Sequence, residues 1–256
     1  MTASPTTSND DPNADPDRGS TPVALITGAS RGIGAAAARH FAAAGYDLLL
    51  LARSTPELES LAAELRTGSR RVETARVDLA DAATIGPDLA ELLQRGLHPT
   101  VVINNAGAAY TGCLAEMPLE RWQWLFQLNL TSVFQVCQAV LPDLRERGGG
   151  HIINVSSHAA RNAFPDWGAY CASKAALASY SRCLAEEERA NGIRVSTLTL
   201  GAVNTPLWDS ETVHSSFDRR AMLSVERAAE ALLSLAQQPA SQIVEDLTLM
   251  PAAGAF

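Results

Sequence analysis

Residues Val23–Gly45 read VALITGASRGIGAAAARHFAAAG, and this stretch decides the fold. Val23–Thr27 is a short apolar run of strand formers. The alanine-rich segment that follows has helical composition and is closed by Gly45. Between them Gly28, Gly32 and Gly34 make a glycine-rich turn from strand to helix. Without side chains in the way, backbone N–H groups and the positive end of the helix can approach an anion such as a pyrophosphate. The spacing is G-x3-G-x-G, not the G-x-G-x-x-G of many dinucleotide sites. A mere tight turn is the alternative, and three glycines at a first strand–helix junction favour the anion cradle.

Outward from this junction the pattern repeats. DLLLLA, RVETARVD, PTVVINNAG, GHIINVSS, IRVSTLTLG and IVEDLTLM read as further strands. The segments between them read as helices: TPELESLAAELR, with Pro56 in its first turn; a less regular one around Gly86 and Pro87; a long helical region over about Leu119 to Arg147; GAYCASKAALASYSRCLAEEERANG; and SVERAAEALLSLAQQ. Strands that are apolar throughout, each followed by a helix, imply a parallel sheet covered on both faces. Right-handed crossovers then predict a single-domain, Rossmann-like, doubly wound α/β fold with seven parallel strands over residues 21–256, and ligands at the carboxyl ends of the strands.

Residues 1–20 are rich in Pro, Asp, Asn, Ser and Thr, and are expected to form a disordered tail. This segment lacks the apolar core of a secretory signal and is too acidic for a transit peptide, so a cytoplasmic location is expected. A net charge of −8 and the lack of a basic stripe argue against nucleic acid as a partner. No apolar run reaches the length of a membrane span. Cys113, Cys137, Cys171 and Cys183 form no CxxC pair, and the five histidines have no metal-ligand spacing, so neither disulfides nor a metal site are expected.

Tyr170 and Lys174 in YCASK sit one helical turn apart, with only small residues between them. Taken alone, they also fit a half-buried tyrosine beside a surface lysine. The ordered set TGASRGIG, VDLAD, NNAG, LNL, NVSS, YCASK and GAVNTPL, however, resembles the short-chain dehydrogenase/reductase family from Val23 to Phe256. The resemblance implies a catalytic set of Asn129, Ser157, Tyr170 and Lys174. Tyr170 would be the general acid or base. A free phenol has a pKa of about 10, and a nearby ammonium would lower it. Lys174 would also bond the nicotinamide ribose. Ser157, thirteen positions before Tyr170, would stabilise the substrate oxygen; without the resemblance, a Ser pair at a strand end reads as a cap or turn. Asn129 would hold a backbone kink and a water.

The resemblance also implies cofactor contacts from Gly28, Ser30, Arg31, Gly32, Ile33, Gly34, Arg53, Asp78, Leu79, Asn105, Ala106, Gly107, Tyr170, Lys174, Gly201, Val203 and Thr205. Where the family commonly has Pro-Gly, this chain has Leu200-Gly201, which loosens the expectation for Thr205. At the end of the second strand, Ala52-Arg53 lacks the carboxylate that would select NAD, and Arg31 lies in the glycine-rich turn. Two arginines at one corner suit a 2′-phosphate, so NADP(H) is the expected cofactor. The substrate is expected to be a small carbonyl compound or secondary alcohol, with ketone or aldehyde reduction favoured. A 3-oxoacyl thioester on an acyl-carrier protein is one alternative, with Arg219 and Arg220 as the available basic residues. A non-catalytic NADP(H)-binding redox sensor is another. Phe164, Trp167 and the stretch from Trp208 to Leu223 are candidate pocket walls for an apolar or aromatic substrate portion; His158 is a further candidate, or a plain loop histidine. Apolar faces on the fourth and fifth long helical segments predict a homodimer or homotetramer.

Overall fold

The computed structural model describes residues 21–66 and 70–254; the segment read as a disordered tail lies outside them. Seven strands form one parallel sheet: β1 (Val23–Thr27), β2 (Asp47–Ala52), β3 (Val72–Arg76), β4 (Val101–Asn104), β5 (Gly150–Ser157), β6 (Ile193–Leu200) and β7 (Asp246–Leu249), in the order β3-β2-β1-β4-β5-β6-β7. Between them run α1 (Gly32–Ala43), α2 (Thr55–Leu65), α3 (Ala82–Leu93), α4 (Leu119–Phe126), α5 (Ser132–Glu146), α6 (Gly168–Glu188) and α7 (Val225–Ala236).

Strand residues alternate between two cores. Ala24, Ile26, Leu48 and Leu50 face a core shared with α1, α2 and α7. Val23, Leu25, Leu49 and Leu51 face the other, shared with α3, α5 and α6. Leu48, Leu49, Leu50 and Leu51 are all buried, each stabilising the fold by about 1.5–3 kcal/mol. This two-sided burial is why β2 reads as an unbroken apolar run. In α1 the residues Ala35, Ala36, Ala37 and Ala38 are buried, and their small side chains let the helix lie close to the sheet.

Three local features depart from expectation. The helix over Ala82–Leu93 passes through Pro87 without breaking, and Asp81 caps it by accepting from the Ala83 N–H at 3.0 Å. The strands expected to run to Asp78 and Gly107 stop at Arg76 and Asn104. The long region read as helix is divided: Gln127–Thr131 form a π-helical turn between α4 and α5, centred on Asn129, where the resemblance had implied a backbone kink. Such turns recur where a helix is bent at a functional position.

After β1 the chain winds outward through β2 and β3, then returns to lay β4 on the other flank of β1. Crevices at such reversals, outside the carboxyl ends of the strands, are where doubly wound sheets bind ligands.

Candidate active site

A cleft of about 600 Å³ opens at this reversal. Its first half is built from the ends of β1, β2, β3 and β4. The Thr27 hydroxyl accepts from the N–H groups of Asn105 (3.0 Å) and Ala106 (3.1 Å), and the Asn105 side-chain amide donates to Thr27 O at 2.9 Å. These bonds pull the turn after β1 against the turn after β4. Only glycine tolerates the result. Gly28 has φ +66°, and a Cβ there would sit 2.9 Å from Ala106 Cα. A Cβ on Gly34 would sit 2.3 Å from Gly28 O. Ser30, Arg31, Gly32 and Ile33 line the cleft beyond this turn.

At the end of β2, Ala52 and Arg53 line the same half, with Ser54 and Glu57 from the start of α2. Arg31 and Arg53 are exposed, and neither side chain has a hydrogen-bond or ion-pair partner among the described residues. Asp78 and Leu79 line the cleft after β3; Asp78 accepts from the Ala80 N–H at 3.0 Å, which closes its own turn. Asn105, Ala106, Gly107, Gly201, Val203 and Thr205 are also lining residues. Thr205 caps the short turn after it, accepting from the Leu207 N–H at 3.3 Å.

The second half is built from α6, the end of β5 and the π turn. Ser157, Tyr170 and Lys174 line one wall of the cleft, and the Ser157 hydroxyl accepts from the Ala159 N–H at 3.1 Å. Lys174 is buried, donates to Val155 O at 3.0 Å, and lies 5.9 Å from the Tyr170 ring centroid. Asn129 is fully buried and does not line the cleft. Its amide oxygen accepts from the Ala108 N–H at 2.9 Å, and its amide nitrogen donates to Ala108 O (2.9 Å) and the Ser173 hydroxyl (3.0 Å). Ser173 in turn donates to Tyr170 O at 2.8 Å. The π turn thereby clamps the segment after β4 to the start of α6. A Cβ on Gly107 would stand 3.2 Å from Asn129 Oδ1 and 3.6 Å from Lys174 Nζ, so a side chain there would wedge between the two.

The expected lowering of the Tyr170 pKa by Lys174 is not what the chain shows. Burial pushes the phenol above its ordinary value, the nearby Ser157 hydroxyl pulls it back, and Cys171 adds to the upward push. The reason is geometric: the Lys174 ammonium is aimed at the Val155 carbonyl instead of the phenol oxygen. Tyr170 remains partly accessible from the cleft, which tempers the effect of burial.

Burial lowers the Lys174 pKa from 10.5 to about 8. Between these values the unfolded chain binds more protons than the folded one, so stability should rise with pH across pH 8 to 10.5. The gain approaches ~3 kcal/mol for a shift of this size. Urea unfolding of the wild type and Lys174→Met should show the wild type gaining on the variant over that window. A constant difference between the two would contradict a desolvated ammonium.

The sequence profile described as short chain dehydrogenase matches residues 22–215. The chain belongs to this family. An oxidoreductase of Staphylococcus epidermidis is 29% identical over 229 residues, which cover 90% of this chain and 96% of the relative. Among solved structures, an alcohol dehydrogenase of Thermococcus sibiricus complexed with 5-hydroxy-NADP is 32% identical, with a TM-score of 0.83 and coverage of 91% of this chain and 97% of that one. The L-sorbose reductase of Gluconobacter frateurii, complexed with NADPH and L-sorbose, is 28% identical, with a TM-score of 0.82 and coverage of 93% and 97%.

In this short chain dehydrogenase several lining residues carry no sequence signal of their own. Val155 acts through its carbonyl, and Trp124 and Met250 reach the cleft from distant elements. Ser54 had a legible position: it is the residue before α2 and makes no capping hydrogen bond. Among the described residues no group of three or more His, Cys, Asp or Glu could hold a metal ion, and no helix is long and apolar enough to cross a membrane.

Proposed function

We propose that this short chain dehydrogenase is an NADP(H)-dependent carbonyl reductase that converts a ketone or aldehyde to the alcohol. The observation that carries the reading is that Tyr170 stands with Ser157 and Lys174 in the wall of a cleft whose other half is a glycine cradle. The residues present fit a dinucleotide: Gly28 and Gly34 leave a backbone surface that a Cβ would obstruct, and Arg31 and Arg53 offer unpartnered charge for a 2′-phosphate. The NADP-type ligands of the two solved relatives support the same cofactor.

A bound nicotinamide supplies the hydride for the carbonyl carbon. Tyr170 gives its proton to the carbonyl oxygen and is reprotonated from solvent. Ser157 donates a hydrogen bond to that oxygen as negative charge develops on it. Lys174, anchored on the Val155 carbonyl, would hold the nicotinamide ribose, and Asn129 positions the start of α6 that carries Tyr170. Asp78 and Leu79 border the adenine end, Asn105 to Gly107 the ribose path, and Gly201, Val203 and Thr205 the nicotinamide end. The same reading has the chain work as a homodimer or homotetramer through α5 and α6, where Phe134 is 43% exposed.

The thioester alternative has less support. Arg219 is tied to Asp209 and Asn204, and Arg220 to Asp218, so neither is free to meet an acidic carrier protein. The redox-sensor alternative would not need the intact set of Ser157, Tyr170 and Lys174. The test is NADPH consumption with a panel of ketones and aldehydes. Turnover is expected. Tight NADPH binding without turnover on any carbonyl compound would favour the sensor.

A further inference from the structure

The catalytic end of the cleft is roofed by the loops after β4, β5 and β6, and these loops are laced together. The Thr111 N–H donates to Thr212 O (2.9 Å), the Thr212 hydroxyl to Ala109 O (2.8 Å), and the His214 N–H to the Thr111 hydroxyl (2.8 Å). The Gly112 N–H donates to Asp166 O at 2.8 Å. Asp166, with φ +65°, is the only non-glycine residue with positive φ among the described residues. It stands immediately before Trp167.

Four rings run outward from the reacting position. Trp167 meets Tyr170 edge-on at 5.6 Å, Trp208 meets Trp167 at 5.7 Å, and Phe217 meets Trp208 edge-on at 5.6 Å. The Trp208 indole is pinned by its N–H, which donates to Val203 O at 2.8 Å. All four line the cleft. Two hydroxyls beside these rings are already committed as donors. The Ser210 hydroxyl donates to Leu207 O at 2.8 Å, and the Thr212 hydroxyl to Ala109 O. The acidic residue at this end is Glu211, an exposed carboxylate on the rim.

We propose that this cleft selects a neutral aryl ketone, whose ring lies along Trp167, Trp208 and Phe217 while its carbonyl reaches Tyr170. This rests on the carbonyl-reductase reading and goes beyond it by naming the substrate class. A polyhydroxylated ketone laid along these rings would set its hydroxyls against faces that offer no strong hydrogen-bond partner, since the Trp208 N–H is already given to Val203 O. An aromatic ring loses no hydrogen bonds there and gains edge and face contacts. A substrate carboxylate would meet Glu211 across the rim with like charge. The laced roof holds the wall in position before the ligand arrives, which limits the ordering cost of binding.

The test is calorimetric titration of the protein saturated with NADP+, so that binding is read without turnover. The ligands are 2-acetylnaphthalene, its 6-carboxylate and hydroxyacetone. The naphthyl ketone should bind at least ~30-fold tighter than hydroxyacetone, and Trp208→Ala should weaken it by ~10-fold or more. Phe217→Leu, a milder change at the same wall, should weaken it in the same direction. The carboxylate should bind a few-fold more weakly than the neutral ketone, and Glu211→Gln should narrow that gap. Hydroxyacetone binding as tightly as the naphthyl ketone would overturn the proposal. So would Trp208→Ala and Phe217→Leu that both keep their melting temperatures and wild-type affinity. Tight naphthyl ketone binding with no reduction on adding NADPH would sink the reductase reading and leave the aryl site standing. Reduction confined to small hydroxyketones would do the reverse.

Discussion

Tyr170→Phe should lower turnover by at least about a hundredfold, the lower end of what a positioned general acid contributes. The substitution keeps the ring, and with it the edge contact to Trp167 at 5.6 Å, so the wall of the cleft is preserved. What goes is the hydroxyl alone. Affinity for NADPH should change little, because the lost group is directed at the substrate oxygen. Ser157→Ala should also be costly, and the double variant should be less damaging than the product of the two, since both groups serve one oxygen. Lys174→Ala should impair turnover and cofactor binding together. Near-native turnover by Tyr170→Phe, on a ketone the wild type reduces, would remove Tyr170 as the proton donor.

The second large effect concerns the choice of cofactor. NADPH should be favoured over NADH by about ten- to a thousandfold in kcat/KM, the range open to charge-assisted bonds from two rim arginines discounted for exposure. Glu57 lines the same corner and opposes the phosphate, so Glu57→Gln should strengthen the preference modestly. Arg53→Ala should weaken NADPH and barely touch NADH. Ala52→Asp should reverse the preference, because a carboxylate accepts from a ribose 2′-hydroxyl and repels a 2′-phosphate. The advantage should shrink as salt rises, since part of it is screened attraction. Equal efficiency with both cofactors at low salt would dismiss the arginine corner as a phosphate site.

The strands were legible because burial on both faces leaves only apolar residues at most of their positions. The glycine turn was legible because Gly28 and Gly34 occupy places a Cβ cannot. Ser157, Tyr170 and Lys174 were legible only through the ordered motifs of the resemblance; alone, Ser157 reads as the cap it also is, accepting from the Ala159 N–H. The π turn at Asn129 reads as continuous helix by its apolar spacing, and only the resemblance pointed to a kink there. The partner of Lys174 was hidden for a different reason: it is the Val155 carbonyl, a backbone atom that no residue type announces. The roof is hidden likewise, since the Thr111–Thr212 and Gly112–Asp166 ties end on backbone carbonyls. Trp167 and Trp208 could be read as wall candidates, but their mutual contact depends on how two loops from different strands fold over one another.

The most direct measurement follows a labelled hydride. NADPH carrying deuterium on the reactive face of its nicotinamide is incubated with the protein and an aryl ketone, and the alcohol is analysed by mass spectrometry and NMR. One deuterium should appear on the carbinol carbon of each product molecule, in step with NADPH consumed, and Tyr170→Phe should slow its appearance without changing its position. NADPH bound in the cleft with no label reaching any carbonyl carbon would contradict carbonyl reduction at this site.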